Sequence, residues 1–127
     1  MVDLFFGLSE GPTDAILGLL WAAEKEPSVA TQMDKAAVES LDQEDLEARF
    51  REEGLSPHGW GNEPGYEYGW HSHDYHKVLY CVSGSIVFHT EEGDFELEAG
   101  DRLDVEPGTG HSATVGPDGV RCLEAAR

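Results

Sequence analysis

Basic residues are scarce in this chain: eight lysines and arginines stand against 26 aspartates and glutamates, for a formal net charge of -18. A polyanion repels nucleic-acid phosphates and gains nothing at an anionic membrane surface, so neither nucleic acid nor membrane is an expected partner. Cysteine is scarcer still, with only Cys81 and Cys122, each inside an apolar run. A small secreted disulfide scaffold normally carries more, so both are read as buried thiols in a reducing compartment, with a bond across adjacent strands as the alternative. No apolar stretch approaches the roughly 20 residues that span a bilayer. The start, Met1-Val2-Asp3, lacks the basic region of a secretory signal. The expected location is therefore cytoplasmic. There is no internal repeat and no low-complexity segment.

What is present suits one domain, since 127 residues leave little room for two. The acid is spread evenly, with thirteen acids and four bases in residues 1–57 and the same numbers in residues 58–127. That distribution reads as a uniformly solvated acidic surface rather than an acidic tail.

The chain divides into a helical part, residues 1–57, and a strand part, residues 58–127. In the first, Thr13 or Asp14 can cap a helix carrying Ile16, Leu19, Leu20 and Ala23, which Pro27 stops. Ser28 can cap a second helix carrying Val29, Met33, Ala36 and Ala37. Ser40 with Gln43 makes a capping-box pattern for a third, with Leu46 and Phe50 four apart and Gly54 suited to a left-handed C-cap before Leu55. Residues 56–65 hold Pro57, Gly59, Gly61, Asn62 and Pro64, which is loop chemistry. Short strands are then predicted near 66–72, 77–82, 85–90, 94–98, 102–106, 111–115 and 120–124, with turns at Ser83-Gly84, Glu92-Gly93, Ala99-Gly100 and Asp118-Gly119. Many short, evenly spaced strands imply a mainly β chain forming a sandwich or small barrel behind an α-helical N-terminal segment.

All six histidines fall after residue 57. His71 and His73, two apart on a strand, project from one face and can share a cation. From His71 the chain runs Gly65, five residues, His71-Ser72-His73, three residues, Lys77, six residues, Gly84. Further on come Gly100-Asp101 and then Pro107-Gly108-Thr109-Gly110-His111. This pattern resembles the two motifs of the cupin superfamily, over roughly residues 60–124. The resemblance implies a double-stranded β-helix, or jelly-roll barrel, with the helical segment 1–57 packed on it or on a second subunit. It further implies one divalent metal ion, iron, nickel, manganese or zinc, held at the barrel mouth by His71, His73 and His111. A small-molecule ligand or substrate and a homodimer are the implied partners. Three protein ligands leave coordination positions open, the layout of a catalytic site, and oxygenase chemistry is the reaction class most natural to three histidines, with lyase or isomerase chemistry also fitting. A non-catalytic binding or sensing cupin, metal-free or not, is the rival from another class.

Two positions depart from the family pattern. Glu106 replaces a turn proline, and Lys77 replaces the usual glutamate ligand. An ammonium has no lone pair to offer a metal. Three readings of Lys77 stay open. The three histidines alone hold the ion while Lys77 swings aside or pairs with an acid; or His76 supplies a fourth ligand; or no metal binds and Lys77 lines an organic pocket, as a carboxylate binder or a candidate catalytic base. A solvated rim lysine is the bland alternative. His58 is expected at the surface or in a lid, and His89 as a satisfied surface residue. Strand alternation predicts Glu67, Gly69 and His71 pointing inward and Tyr66, Tyr68 and Trp70 outward. Leu79, Cys81, Ile86 and Phe88 are expected inside the barrel, and Val78, Tyr80 and Val82 in an outer layer.

Overall fold

The computed structural model describes residues 30–127. The first expected helix, and the Ser28–Val29 start of the second, lie outside the described residues. Eight elements follow: β1 (Thr31–Asp34), α1 (Gln43–Glu52), β2 (His58–Asn62), β3 (Glu67–His71), β4 (Lys77–Thr90), β5 (Gly93–Glu98), β6 (Arg102–Val105) and β7 (His111–Ala126).

Two long antiparallel strands, β4 and β7, organise everything else. They pair along nearly their whole length, from Lys77 opposite Ala126 to Thr90 opposite His111. Each is flanked by a different partner in each half. The first half of β4 pairs with β6 and its second half with β5. The second half of β7 pairs with β2 and its first half with β3. The register breaks where the halves meet, between Cys81 and Ser83 and again between Gly84 and Ile86. Two sheet halves result, β1-β6-β4-β7-β2 and β5-β4-β7-β3, sharing one bent strand pair. Leu79, Cys81, Ile86, Phe88, Leu97, Leu103, Val115 and Cys122, drawn from both halves, make one buried cluster between them. The four inward positions expected on β4 are all in it.

The outer face of the β4–β7 half is covered by α1. Leu46 and Phe50, both fully buried, pack with Leu55 on Val78, Tyr80, Leu123 and Ala125. The Phe50 and Tyr80 rings meet edge to face at 5.3 Å. Asp42, not Ser40, is the N-cap of α1, accepting from the Glu44 amide. Ser40 instead accepts from the Asp42 amide and donates to Asp45. At the other end the Gly54 amide bonds to Arg51 O and the Leu55 amide to Phe50 O, a Schellman closure around the left-handed Gly54. Arg102 ties this end to the sheet, donating to Glu53, Asp104 and the Tyr80 hydroxyl.

The structure corrects three expectations. Among the described residues the second helix does not form: Thr31–Asp34 makes β1 on the edge of β6, because pairing with Arg102–Val105 outweighs a weak helical spacing. The expected loop at residues 56–65 contains β2, which pairs with Val120–Glu124 despite its glycines. Ser83-Gly84 and Asp118-Gly119 are not hairpin turns between separate strands but the bend within β4 and β7.

Candidate metal centre and cavity

The β3–β7 pairing places His71 opposite His111. His73 follows two residues beyond β3, and its carbonyl accepts the Gly108 amide at 2.7 Å, which pins this loop to the turn preceding His111. The three imidazoles converge. Ring centroids are 4.4 Å apart for His71–His111, 4.8 Å for His71–His73 and 5.3 Å for His73–His111. One ring nitrogen from each lies within 4.8 Å of the others.

The backbone sets the tautomers of His71 and His111. His71 Nδ1–H donates to Gly69 O at 2.6 Å and His111 Nδ1–H to Thr109 O at 2.9 Å, which leaves each Nε2 as a lone pair. The Nε2 atoms of His73 and His111 are buried and, among the described residues, have no hydrogen-bond partner. Burial, then the Lys77 ammonium and His71, hold His73 below its ordinary pKa. Burial likewise lowers His111, against the raising effect of the Thr109 carbonyl and with help from His71 and Lys77. Converging imidazoles, two of them with buried ring nitrogens that no described group satisfies, are the donor set a divalent ion requires, so these residues fit the metal that the sequence implied.

His76 does not join this group. Its Nε2 lies 3.2 Å from Asp104 and its Nδ1 3.7 Å from Glu106. His89 is satisfied by Asp94 and Thr114, as expected of a surface residue. His58, exposed on β2, lines the cavity described next.

A cavity of about 400 Å³ adjoins the three histidines. Trp60, Tyr68, Tyr75 and Phe88 supply its aromatic walls. Tyr68 was expected outside; the structure turns it inward because a one-residue bulge separates Tyr68, opposite Ala113, from His71, opposite His111. Two side chains three apart thereby share a face, while Glu67 and Gly69 are exposed. Trp70 and Tyr66 do point outward, 57% and 41% exposed.

Lys77 is not a rim residue. Its ammonium lies 3.3 Å from Glu124 Oε1, with the two side chains 9% and 8% exposed, and both line the cavity. Glu124 Oε1 also accepts from Trp60 Nε1 at 2.8 Å. Sequence reasoning passed over Glu124, Trp60 and Tyr75. A signal existed for Glu124, an acid embedded in the apolar run Cys122-Leu123-Glu124-Ala125-Ala126. Trp60 was hidden in a segment whose glycines read as loop.

A bent β4–β7 pair enclosing a core, with converging histidines at one end, defines a small double-stranded β-helix. The cupin-domain family model matches residues 57–124, more than half of the chain, and the chain belongs to that family. Among solved structures it is similar to an RmlC-like cupin from Shewanella frigidimarina NCIMB 400, at 26% identity and a TM-score of 0.51, covering 57% of this chain and 64% of that one. A double-stranded β-helix protein from Klebsiella pneumoniae subsp. pneumoniae MGH 78578 is similar at 25% identity and a TM-score of 0.50, covering 57% and 62%. The DMSP lyase DddQ from Ruegeria pomeroyi DSS-3 shares the fold at 20% identity and a TM-score of 0.54, covering 57% and 38%. The match spans less than two thirds of the length of each of these chains. No curated protein matches this one. Among the described residues no helix is long and apolar enough to cross a membrane.

Proposed function

We propose that this chain is a metal-dependent small-molecule enzyme of the cupin type, with one divalent ion (iron, nickel, manganese or zinc) on His71, His73 and His111 and oxygenase-like chemistry. The supporting observation is the pair of buried Nε2 atoms, on His73 and His111, that no described protein group satisfies. Leaving such atoms unmet costs about 1–3 kcal/mol each, a cost that ligation of an ion removes. A bound ion would supply Lewis acidity or a redox couple to a ligand in the adjoining cavity. The chain's own residues do the remaining work. The Gly69 and Thr109 carbonyls hold the His71 and His111 rings in the ligating tautomer. Trp60, Tyr68, Tyr75 and Phe88 exclude water from the reacting end of a substrate. Lyase or isomerase chemistry would use the same three histidines and is the rival reaction class.

A second reading, a non-catalytic ligand-binding cupin, draws on the buried Lys77–Glu124 pair, which needs no metal and stands at the family's glutamate position. Elemental mass spectrometry of untagged protein separates the two. The enzyme reading expects close to one ion per chain, absent from a His71→Ala/His111→Ala variant. No metal in either protein, even after reloading, would sink it. A homodimer is also proposed, supported by the exposed Trp70 and Tyr66 side chains.

A further inference from the structure

Among the side chains lining the cavity, Lys77 is the one cation and Glu124 the one acid. Glu124 is held from two sides, by the Lys77 ammonium and by the Trp60 indole N–H. An ammonium carries three donors, and Glu124 is its one ion-pair partner among the described residues, which leaves donors for a ligand. Lys77 and Glu124 cancel, so the cavity's charged side chains leave no net negative charge to repel an anion, and a divalent ion at the histidines would add two positive charges to a space with aromatic walls. The Lys77 ammonium is 6.0 Å from the Phe88 ring centroid, and that ring is 6.1 Å from His111.

We propose that Lys77 is the anion-recognition residue of this cavity, so that the chain takes a small organic carboxylate whose charged end is held by the Lys77 ammonium and whose apolar body lies against Trp60 and Phe88. Glu124 is the positioning residue that holds the ammonium in place. This deepens the reading of the cavity as a small-molecule site and rests on it, but does not require the ion.

Benzoate and benzamide, alike in size and different in charge, are the probes, with butyrate and butyramide as a slimmer pair. Isothermal titration calorimetry on metal-loaded and on chelator-treated protein reads their affinities, with circular dichroism confirming that each variant is folded. Wild type should bind the carboxylate at least tenfold more tightly than its amide. Lys77→Met should abolish that preference and Lys77→Arg should keep it. Glu124→Gln removes the competing carboxylate while leaving an acceptor for Trp60, and should tighten carboxylate binding. A purely structural ion pair predicts something else: Lys77→Met and Glu124→Gln lower the melting temperature together and shift acid and amide equally. Equal binding of acid and amide by wild type, binding of none of the four probes, or a preference that survives in Lys77→Met each overturns the proposal. The chelator-treated arm keeps it distinct from the metal reading, because a Lys77-dependent preference there stands even if no ion is ever found.

Discussion

Asp101 shows how one buried residue can connect remote parts of the chain. It is 3% exposed, and its carboxylate accepts from Lys35 Nζ and from the amides of Ala36 and Glu98. The Ala36 amide is worth holding, because Ala36 sits at a left-handed φ of 50°, which an alanine adopts at a cost. Burial alone would push the Asp101 carboxyl up, but Lys35 and the two amides outweigh it and hold it below the ordinary 3.8. A carboxyl depressed in the folded state contributes stability above its unfolded pKa and loses it as pH falls through the lower folded value. Asp101→Asn should therefore cost about 1.5–3 kcal/mol at neutral pH, the range for hydrogen bonds to a charged group. The gap between variant and wild type should begin to narrow as pH falls below about 4, the unfolded carboxyl's range, and close once the folded carboxyl protonates at its lower value. Urea unfolding across that range checks it, and a gap constant with pH would refute the assignment.

At the scale of elements, the bend shared by β4 and β7 decides whether a barrel forms. Gly84 sits there at φ 74°, and a Cβ on it would lie 1.9 Å from the Gly119 carbonyl oxygen. Neither backbone can move without breaking the pairing of Ser83 with Arg121 and Gly84 with Val120. Gly84→Ala should cost at least about 3 kcal/mol, combining backbone strain with overpacking. Gly54 closes α1 at a similar φ of 78° but has nothing within 4 Å of its would-be Cβ. Gly54→Ala should cost only about 1–2 kcal/mol, the left-handed penalty alone. Chemical denaturation of both variants gives the comparison, and equal losses would mean that contact at the bend contributes nothing.

For the whole molecule, charge and surface set opposing terms. Two copies of a chain carrying -18 must approach if the proposed dimer forms. Salt shortens the screening length from about 30 Å at 0.01 M to about 8 Å at 0.15 M, so repulsion between copies weakens sharply over that range. Apolar contact through Trp70 and Tyr66 depends far less on salt. Light scattering should show the dimer fraction rising with ionic strength, and Trp70→Ser should shift the mass toward monomer at every salt concentration. A monomeric mass throughout would remove the dimer.

Motif spacing pointed to the family and, through that resemblance, to the three histidines that meet, while local capping and turn chemistry pointed to left-handed glycines at 54 and 84, because these signals lie in residues close in sequence. The inward set Leu79, Cys81, Ile86 and Phe88 was legible for the same reason. Only the tertiary structure decided the rest. Residues 31–34 became a strand because β6 offered an unpaired edge, and residues 58–62 became one because β7 did. Tyr68 entered the cavity because a bulge shifted the alternation by one. Lys77 found its carboxylate in Glu124, 47 positions along the chain, because β4 and β7 pair along their length. A period of two carries no information about bulges, and local propensity none about which distant strand will stand alongside.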